Sequence, residues 1–132
     1  GLPEFLDALR EREIPRNIAT ASALPNVRFF FEHLPLARWF DPDLVVYNDG
    51  SLPGKPAPDL YLAAAARIGA DIRACTVFED ATPGIEAARR AGARRIVGVA
   101  SMQTPQALLA HGATHAIAGY SSAEDLLRLV LS

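Results

Sequence analysis

The sequence has 132 residues, which is long enough for one ordinary domain and too short for two. Half of the residues are hydrophobic and 21% are charged, a composition typical of a globular domain rather than of a disordered chain. The formal net charge of −2 gives no reason to expect binding to nucleic acid or to an anionic membrane surface.

The cysteine content and the lengths of the apolar runs narrow the possible classes of protein further. Cys75 is the only cysteine, so an internal disulfide is excluded and a reducing, cytoplasmic location is expected. It precedes an apolar run, which favours a small core residue over a nucleophile. No apolar run approaches ~18 residues, so no membrane-spanning helix is predicted.

Helical and extended patterns alternate along the whole chain. The predicted elements, in order, are helix 2–13, strand 16–20, helix 24–34, strand 43–47, helix 58–68, strand 75–78, helix 83–91, strand 95–99, helix 105–111, strand 115–118 and helix 123–131. Strands separated by helices predict a single α/β domain over residues 1–132, with a parallel sheet and helices on both faces. In such sheets, ligands bind outside the carboxyl ends of the strands.

Three groups of polar residues fall at that edge of the predicted sheet. They are residues 20–22 (Thr-Ala-Ser), Lys55, and the acidic pair Glu79–Asp80, which directly follows the strand of residues 75–78. Lys55 is the only lysine beside 12 arginines, and it lies between Gly54 and Pro56. A chain that otherwise uses arginine keeps its one lysine at a tight corner.

Each group suits one part of phosphate chemistry. Glu79 and Asp80 supply hard oxygen ligands, which Mg²⁺ takes together with substrate phosphate. Thr20 and Ser22 offer hydroxyls, and the turn after the strand offers backbone N–H groups to an anion. Lys55 adds a compact charge that can approach a phosphoryl oxygen closely, and the planar fork of arginine is no substitute for it.

Each group also has a purely structural interpretation. Lys55 could be a surface lysine, and Thr20 and Ser22 could cap a helix. The pair Glu79–Asp80 could stabilise the start of the next helix through its dipole by roughly 0.3–1 kcal/mol. The joint occurrence of the three groups at strand ends favours a phosphate site.

Three strings in the chain resemble the second, third and fourth motifs of the haloacid dehalogenase superfamily. They are IATAS at residues 18–22, GKPAPDLYLAAAARIG at residues 54–69 and VFEDATPGIEAARRAGA at residues 77–93. The closest branch contains β-phosphoglucomutase and phosphoglycolate-type phosphatases, and the resemblance runs from residue 1 to about residue 100. It implies a Rossmann-like core of that superfamily.

The resemblance implies a phosphate-binding group and a catalytic lysine. Thr20 would hydrogen-bond the transferring phosphoryl group, with the Ala21 amide and Ser22 nearby. Lys55 would bridge the nucleophile and the phosphate and offset the charge that builds up in the transition state.

The resemblance also implies a metal site. Asp80 would bind Mg²⁺ directly, and Glu79 would bind it directly or through water. Gly84 would let the following helix approach the site closely.

One part of the family pattern is missing from the sequence. The family's nucleophile is the first Asp of an Asp-x-Asp-Gly-Thr string on an early strand, and its second Asp is the general acid and base. Residues 41–43 read Asp-Pro-Asp, but Leu44 and Val45 follow in place of Gly-Thr, and the pair precedes a strand. In this branch the nucleophile motif and a helical cap both come before the segment that begins at Leu2.

The sequence therefore looks like the carboxyl-terminal part of such an enzyme, without the central first strand and the cap. We expect a preceding segment or a second chain to supply that strand between the strands of Ile18 and Val77. We also expect the 132 residues alone to be inactive.

The function expected from the resemblance is that of a Mg²⁺-dependent phosphatase or phosphomutase. It would act on a small phosphorylated metabolite through an aspartyl-phosphate intermediate. A haloacid dehalogenase and a non-catalytic phosphate- or partner-binding relative remain the alternatives. A receiver-type signalling domain is disfavoured, because its acidic pair comes on the first strand.

Overall fold

The computed structural model describes all 132 residues, which form six α-helices and three β-strands. The helices are α1 Leu2–Glu11, α2 Leu24–His33, α3 Asp59–Arg67, α4 Thr82–Ala91, α5 Pro105–Ala110 and α6 Ala123–Leu131. The strands are β1 Thr76–Glu79, β2 Arg95–Val99 and β3 His115–Ile117, and two short 3-10 helices cover Leu36–Arg38 and Ile72–Ala74. None of the helices is both long and apolar enough to cross a membrane.

Local sequence accounts for the ends of several helices. Proline occupies one of the first two positions of α1, α2, α4 and α5, where no intrahelical hydrogen bond needs its missing N–H. Helix α4 ends at Gly92, whose φ of 85° lies in the left-handed region that favours glycine. Thr104 and Ser122 cap α5 and α6, because their side chains accept hydrogen bonds from the backbone N–H groups of Ala107 and Asp125.

The three strands form a parallel sheet in the order β1-β2-β3. Thr76 lies opposite Arg95, and Val97 lies opposite His115. One core lies on the side of α3, α4 and α5 and includes Tyr61, Val77, Ile85, Ile96 and Leu108. The core on the side of α1 and α6 includes Phe5, Leu6, Leu9, Leu126 and Leu127, with Phe78 and Ile117 packed against it. Helices on both faces of a parallel sheet confirm the predicted fold class.

The predicted strands 16–20 and 43–47 appear only as a single parallel bridge between Ala19 and Val46. The Thr20 amide donates to the Val46 carbonyl at 2.9 Å, and the Val46 amide donates to the Ile18 carbonyl at 3.0 Å. We call residues 18–20 together with Val46 the outer pair. The bridge does not extend into a ladder, because residues 42–44 lie in a turn shortly before Val46.

A cleft of about 750 Å³ lies between the outer pair and β1. No backbone hydrogen bond joins residues 18–20 to residues 76–79. Because Val46 bonds Ile18 and Thr20, the N–H and C=O groups of Ala19 point the other way, into the cleft.

The opposite wall of the cleft, formed by β1, also presents backbone N–H and C=O groups to the cleft. The Arg95 amide of β2 donates to the Cys75 carbonyl, and the parallel register continues along β1. Alternate residues of a parallel strand present their backbone groups to opposite sides, so those of Thr76 and Phe78 face the cleft. The cleft is therefore flanked by two strand edges that present backbone groups towards it.

Candidate functional site

Lys55 lies in the corner before α3 and reaches across the carboxyl end of the cleft. Its ammonium donates to Glu79 Oε2 at 3.0 Å and to the Ala19 carbonyl at 3.3 Å. It also lies 4.8 Å from the ring centroid of Tyr61, a cation–π distance. The side chain of Lys55 is 15% exposed, so the single lysine of the chain belongs to the site and not to the open surface.

Glu79 is the centre of this hydrogen-bond network. Its Oε2 atom accepts from the Lys55 ammonium and from the Tyr61 hydroxyl. Its Oε1 atom accepts from the backbone amides of Asp80 and Ala81, both at 3.2 Å. With its side chain only 10% exposed, Glu79 is turned inward and supplied with four donors.

Gly84 in the first turn of α4 makes this inward position possible. A Cβ atom at this position would overlap the carboxylate and the Cγ atom of Glu79. The expected close approach of α4 to the site at Gly84 is thus confirmed. The missing side chain of Gly84 leaves room for the side chain of Glu79.

The electrostatics of the network follow from burial and charge. Burial by itself raises the pKa of Glu79, but the hydrogen bond from Tyr61 and the charge of Lys55 outweigh it and hold that pKa below its ordinary value. Burial, followed by the negative charge of Glu79, raises the pKa of Tyr61. At neutral pH, Tyr61 is therefore a neutral donor and Glu79 a charged acceptor.

Asp80 differs from Glu79 although the two are adjacent. Its side chain is exposed at the edge of the cleft and takes part in none of the hydrogen bonds or ion pairs of the structure. An exposed carboxylate without a protein partner can serve as an oxygen ligand for a hard divalent ion such as Mg²⁺. Glu79 has no free acceptor oxygen of this kind, and no three His, Cys, Asp or Glu side chains converge to form a complete metal cage.

Of the other residues that the sequence predicted for the site, some line the cleft and some do not. Thr20 lines the cleft, and its hydroxyl oxygen accepts from the Ser22 amide at 3.1 Å, which leaves the hydroxyl proton free to donate. Ala21 and Ser22 do not line the cleft. Cys75 lies at the opposite end of β1, half-buried, and donates to the Asp71 carbonyl at 3.2 Å.

Tyr61 belongs to the site, but sequence reasoning placed it only within a helix. The residue is 8% exposed in the core beside α4, and its hydroxyl donates to the buried carboxylate of Glu79. The available signal was a tyrosine six residues after Lys55, in a helix that is otherwise apolar on this side. A buried tyrosine needs a partner for its hydroxyl, and in this fold that partner is Glu79.

Comparison with known proteins identifies the family of this chain. The family model of the haloacid dehalogenase-like hydrolases matches residues 1–92 of the chain. The chain belongs to this family. Its resemblance to the superfamily motifs is thereby confirmed, and hydrolases are the general class of its relatives.

Individual relatives of this haloacid dehalogenase-like chain act on phosphorylated sugars. A phosphorylated carbohydrates phosphatase of Thermotoga maritima is 34% identical over 114 residues, which make up 86% of this chain and 52% of that protein. The β-phosphoglucomutase of Mycobacterium bovis is 34% identical over 101 residues, or 75% of this chain and 38% of that protein.

A solved structure supports the same family fold. A hydrolase of family IA, variant 3, from Entamoeba histolytica superposes with a TM-score of 0.91 at 38% identity, covering 100% of this chain and 60% of that one. The chain thus spans about half the length of the relatives that it matches.

Proposed function

We propose that this chain forms part of a Mg²⁺-dependent phosphatase or phosphomutase that acts on a small phosphorylated metabolite. The observation that carries the proposal is the arrangement of Lys55, whose ammonium is held at the carboxyl end of the cleft by Glu79 and the Ala19 carbonyl. A preorganised cation at such a point stabilises the charge that develops on a transferring phosphoryl group.

The chain's own residues divide the work of binding and charge stabilisation. The Thr20 hydroxyl, whose proton is free, would donate to a phosphoryl oxygen at the mouth of the cleft. Lys55 would neutralise the phosphoryl group without moving far, because its own partners already fix it. Ala21 and Ser22, proposed as further phosphate ligands, would have to contribute from outside the present cleft wall.

The metal would be held mainly by Asp80. This exposed and unpaired carboxylate would be the direct ligand, and Glu79 would act through water because protein donors fill its own oxygens. Mg²⁺ commonly keeps several waters and takes one or two carboxylates together with substrate phosphate, where it offsets negative charge.

We further propose that a β-strand from outside these residues fills the cleft and supplies the nucleophile. The Ala19 N–H on one wall and the backbone groups of Thr76 and Phe78 on the other have no strand partner, while the Ala19 carbonyl accepts from Lys55. A buried backbone group without a partner costs about 1–3 kcal/mol, so a parallel strand bonded to both walls would be strongly favoured.

The strand must also suit the walls of the cleft. Apolar side chains line both faces of the cleft, among them Phe5 and Leu9 of α1 and Ala65 and Ile68 at α3. A strand buried on both faces is a nearly continuous apolar run. Its carboxyl end would lie beside Lys55 and Asp80. There an aspartate carboxylate could attack phosphorus while the P–O ester bond breaks, which would give the aspartyl-phosphate intermediate and release the sugar alcohol, protonated by the general acid of the same strand.

The proposed function is tested with the complete enzyme, meaning this chain with the strand that fills its cleft, in one polypeptide or in two. Inorganic phosphate release from a panel of sugar phosphates should require Mg²⁺ and stop when a chelator is added. Asp80→Asn should abolish release without changing the circular dichroism spectrum. Glu32→Gln, which removes an exposed carboxylate elsewhere, is the matched control and should retain activity.

Two results would contradict the proposal. Binding of phosphate esters without any turnover would indicate a phosphate-binding relative without catalysis. Chelator-resistant release of chloride from chloroacids would indicate the dehalogenase.

A further inference from the structure

The Tyr61 hydroxyl has a position that the proposed chemistry does not yet use. It donates to Glu79 Oε2, the same oxygen that accepts from the Lys55 ammonium. Its ring lies below that ammonium at 4.8 Å from the nitrogen. One side chain therefore contacts both the buried anion and the buried cation of the site.

We propose that Tyr61 is a positioning residue, whose hydroxyl keeps Glu79 turned towards Lys55 and away from the cation position beside Asp80. Three features of the structure support this assignment. The tyrosine cannot easily move, because it is 8% exposed within the core between α3 and α4. The acceptor oxygen has only two donors, Tyr61 and Lys55.

The third feature is the geometry around the acceptor. Glu79 Oε1 is held by the backbone amides of Asp80 and Ala81, which any side chain at position 61 would leave unchanged. Of the groups that hold Oε2 directly, Tyr61 is the one besides Lys55. Without the hydroxyl, Lys55 alone would hold Oε2, so the carboxylate could turn more readily towards a cation at Asp80 and leave the ammonium with the Ala19 carbonyl as its oxygen partner.

The ring and the hydroxyl of Tyr61 have separable roles. Tyr61→Phe removes the hydroxyl and keeps an aromatic ring at this position, so a changed Lys55 signal in this variant reports movement of the lysine and not loss of the ring. Tyr120→Phe is the matched control, since Tyr120 also lines the cleft and its hydroxyl takes part in none of the hydrogen bonds of the structure. A general effect of losing a phenol would appear in both variants, whereas a positioning effect would appear only in Tyr61→Phe.

The direct measurement is the NMR shift of the Lys55 ε-methylene protons in the complete enzyme with carbon-13-labelled lysine. Lys55→Arg identifies the signal by its disappearance. An upfield ring-current shift is expected in the wild type, because the end of the side chain lies over the Tyr61 ring. In Tyr61→Phe the shift should move towards its random-coil value, and in Tyr120→Phe it should stay in place.

The kinetic measurement rests on the proposed function. Tyr61→Phe should lower kcat by about tenfold, the scale of losing an outer-shell partner, with KM unchanged. The Mg²⁺ concentration for half-maximal activity should fall, because Glu79 becomes available to the ion. A variant that was merely less well folded would not bind Mg²⁺ more tightly.

The outcomes separate this inference from the proposed function. A wild-type protein without phosphatase activity would contradict the proposed function, while the NMR comparison would still test Tyr61. An unshifted ε-methylene signal in the wild type, or the same shift in the wild type and in Tyr61→Phe, would overturn the positioning role. An equal or higher Mg²⁺ requirement in Tyr61→Phe would overturn the claim that Glu79 is held away from the ion.

Discussion

Lys55 and Glu79 form a nearly buried ion pair, and its two members have different numbers of supporting contacts. The carboxylate has four donors, whereas the ammonium has the carboxylate, one carbonyl and an aromatic ring. Taking two charges out of water is unfavourable unless such contacts repay it. The network is thus expected to serve function more than stability.

Lys55→Ala should lower kcat of the complete enzyme by at least ~10², the scale for removing one preorganised electrostatic group. Lys55→Arg should rescue little, because the guanidinium fork cannot occupy the place of the ammonium between Glu79 and Ala19. Steady-state phosphate release gives the measurement. The control is Arg128→Ala, which removes a cation from an exposed ion pair with Glu124. Near-normal turnover in either Lys55 variant would disprove the assignment.

At the residue scale, the charged residues of the site were predictable from the sequence, but the hydrogen bond from Tyr61 to Glu79 was not. Lys55, Glu79 and Asp80 were identifiable from their positions at strand ends, and the structure brings all three to one cleft. The distinct environments of Glu79 and Asp80 could not be predicted. They depend on which carboxylate meets Tyr61, and that contact joins residues 18 positions apart.

At the scale of elements, α4 and β1 are fitted together at Gly84. The first turn of the helix passes so close to the strand end that only a glycine leaves space for the Glu79 side chain. The loop between β1 and α4 therefore fixes the acidic pair as well as connecting the two elements.

Gly84→Ala should push Glu79 out of its pocket and separate it from Lys55 and Tyr61. We expect a loss of stability of about 1–3 kcal/mol from overpacking and the broken network, together with a fall in kcat. Urea denaturation and phosphate release measure the two effects. Gly119→Ala is the control, since a Cβ there meets no atom within 4 Å. Equal behaviour of the two variants would mean that Glu79 moves without consequence.

The helices were more predictable than the strands. The six helices follow from apolar periodicity and from their prolines and glycines, which are local signals. Strands need neighbours, and the predicted strands 16–20 and 43–47 retain only the bridge from Ala19 to Val46. Residues 43 and 44 of the second predicted strand lie in a turn, and residues 16–20 have no strand on their cleft side to pair with.

At the scale of the whole molecule, the cleft divides the domain into two unequal parts. The sheet β1-β2-β3 forms one part with its helices, and the outer pair with α2 lies across the gap. Helix α3 packs against both parts, through Tyr61 on one side and through Leu60 and Ala64 on the other. The fold class was predictable because strand and helix signals alternate over the entire chain. The gap between residues 18–20 and β1 was predictable only through the family resemblance, which implied a missing central strand.

The isolated 132 residues should neither hydrolyse phosphate esters nor behave as a tight monomer. Thr20, Lys55 and Asp80 can position and neutralise a phosphoryl group, but none is a plausible nucleophile towards it. The unpartnered strand edges should favour strand exchange or aggregation. Phosphate assays, gel filtration and near-ultraviolet circular dichroism measure these properties. Hydrolysis by a well-packed monomer would contradict the expectation.

The single lysine has one more consequence, for covalent damage. Amines react with aldehydes, acyl donors and reducing sugars, while the guanidinium groups on the rest of the surface are far less reactive towards acylating reagents. The one side-chain amine of these 132 residues lies at 15% exposure beside the carboxylate of Glu79. Among these residues, a reagent that acylates lysine can therefore remove the charge of one side chain only, and that side chain is the one in the cleft.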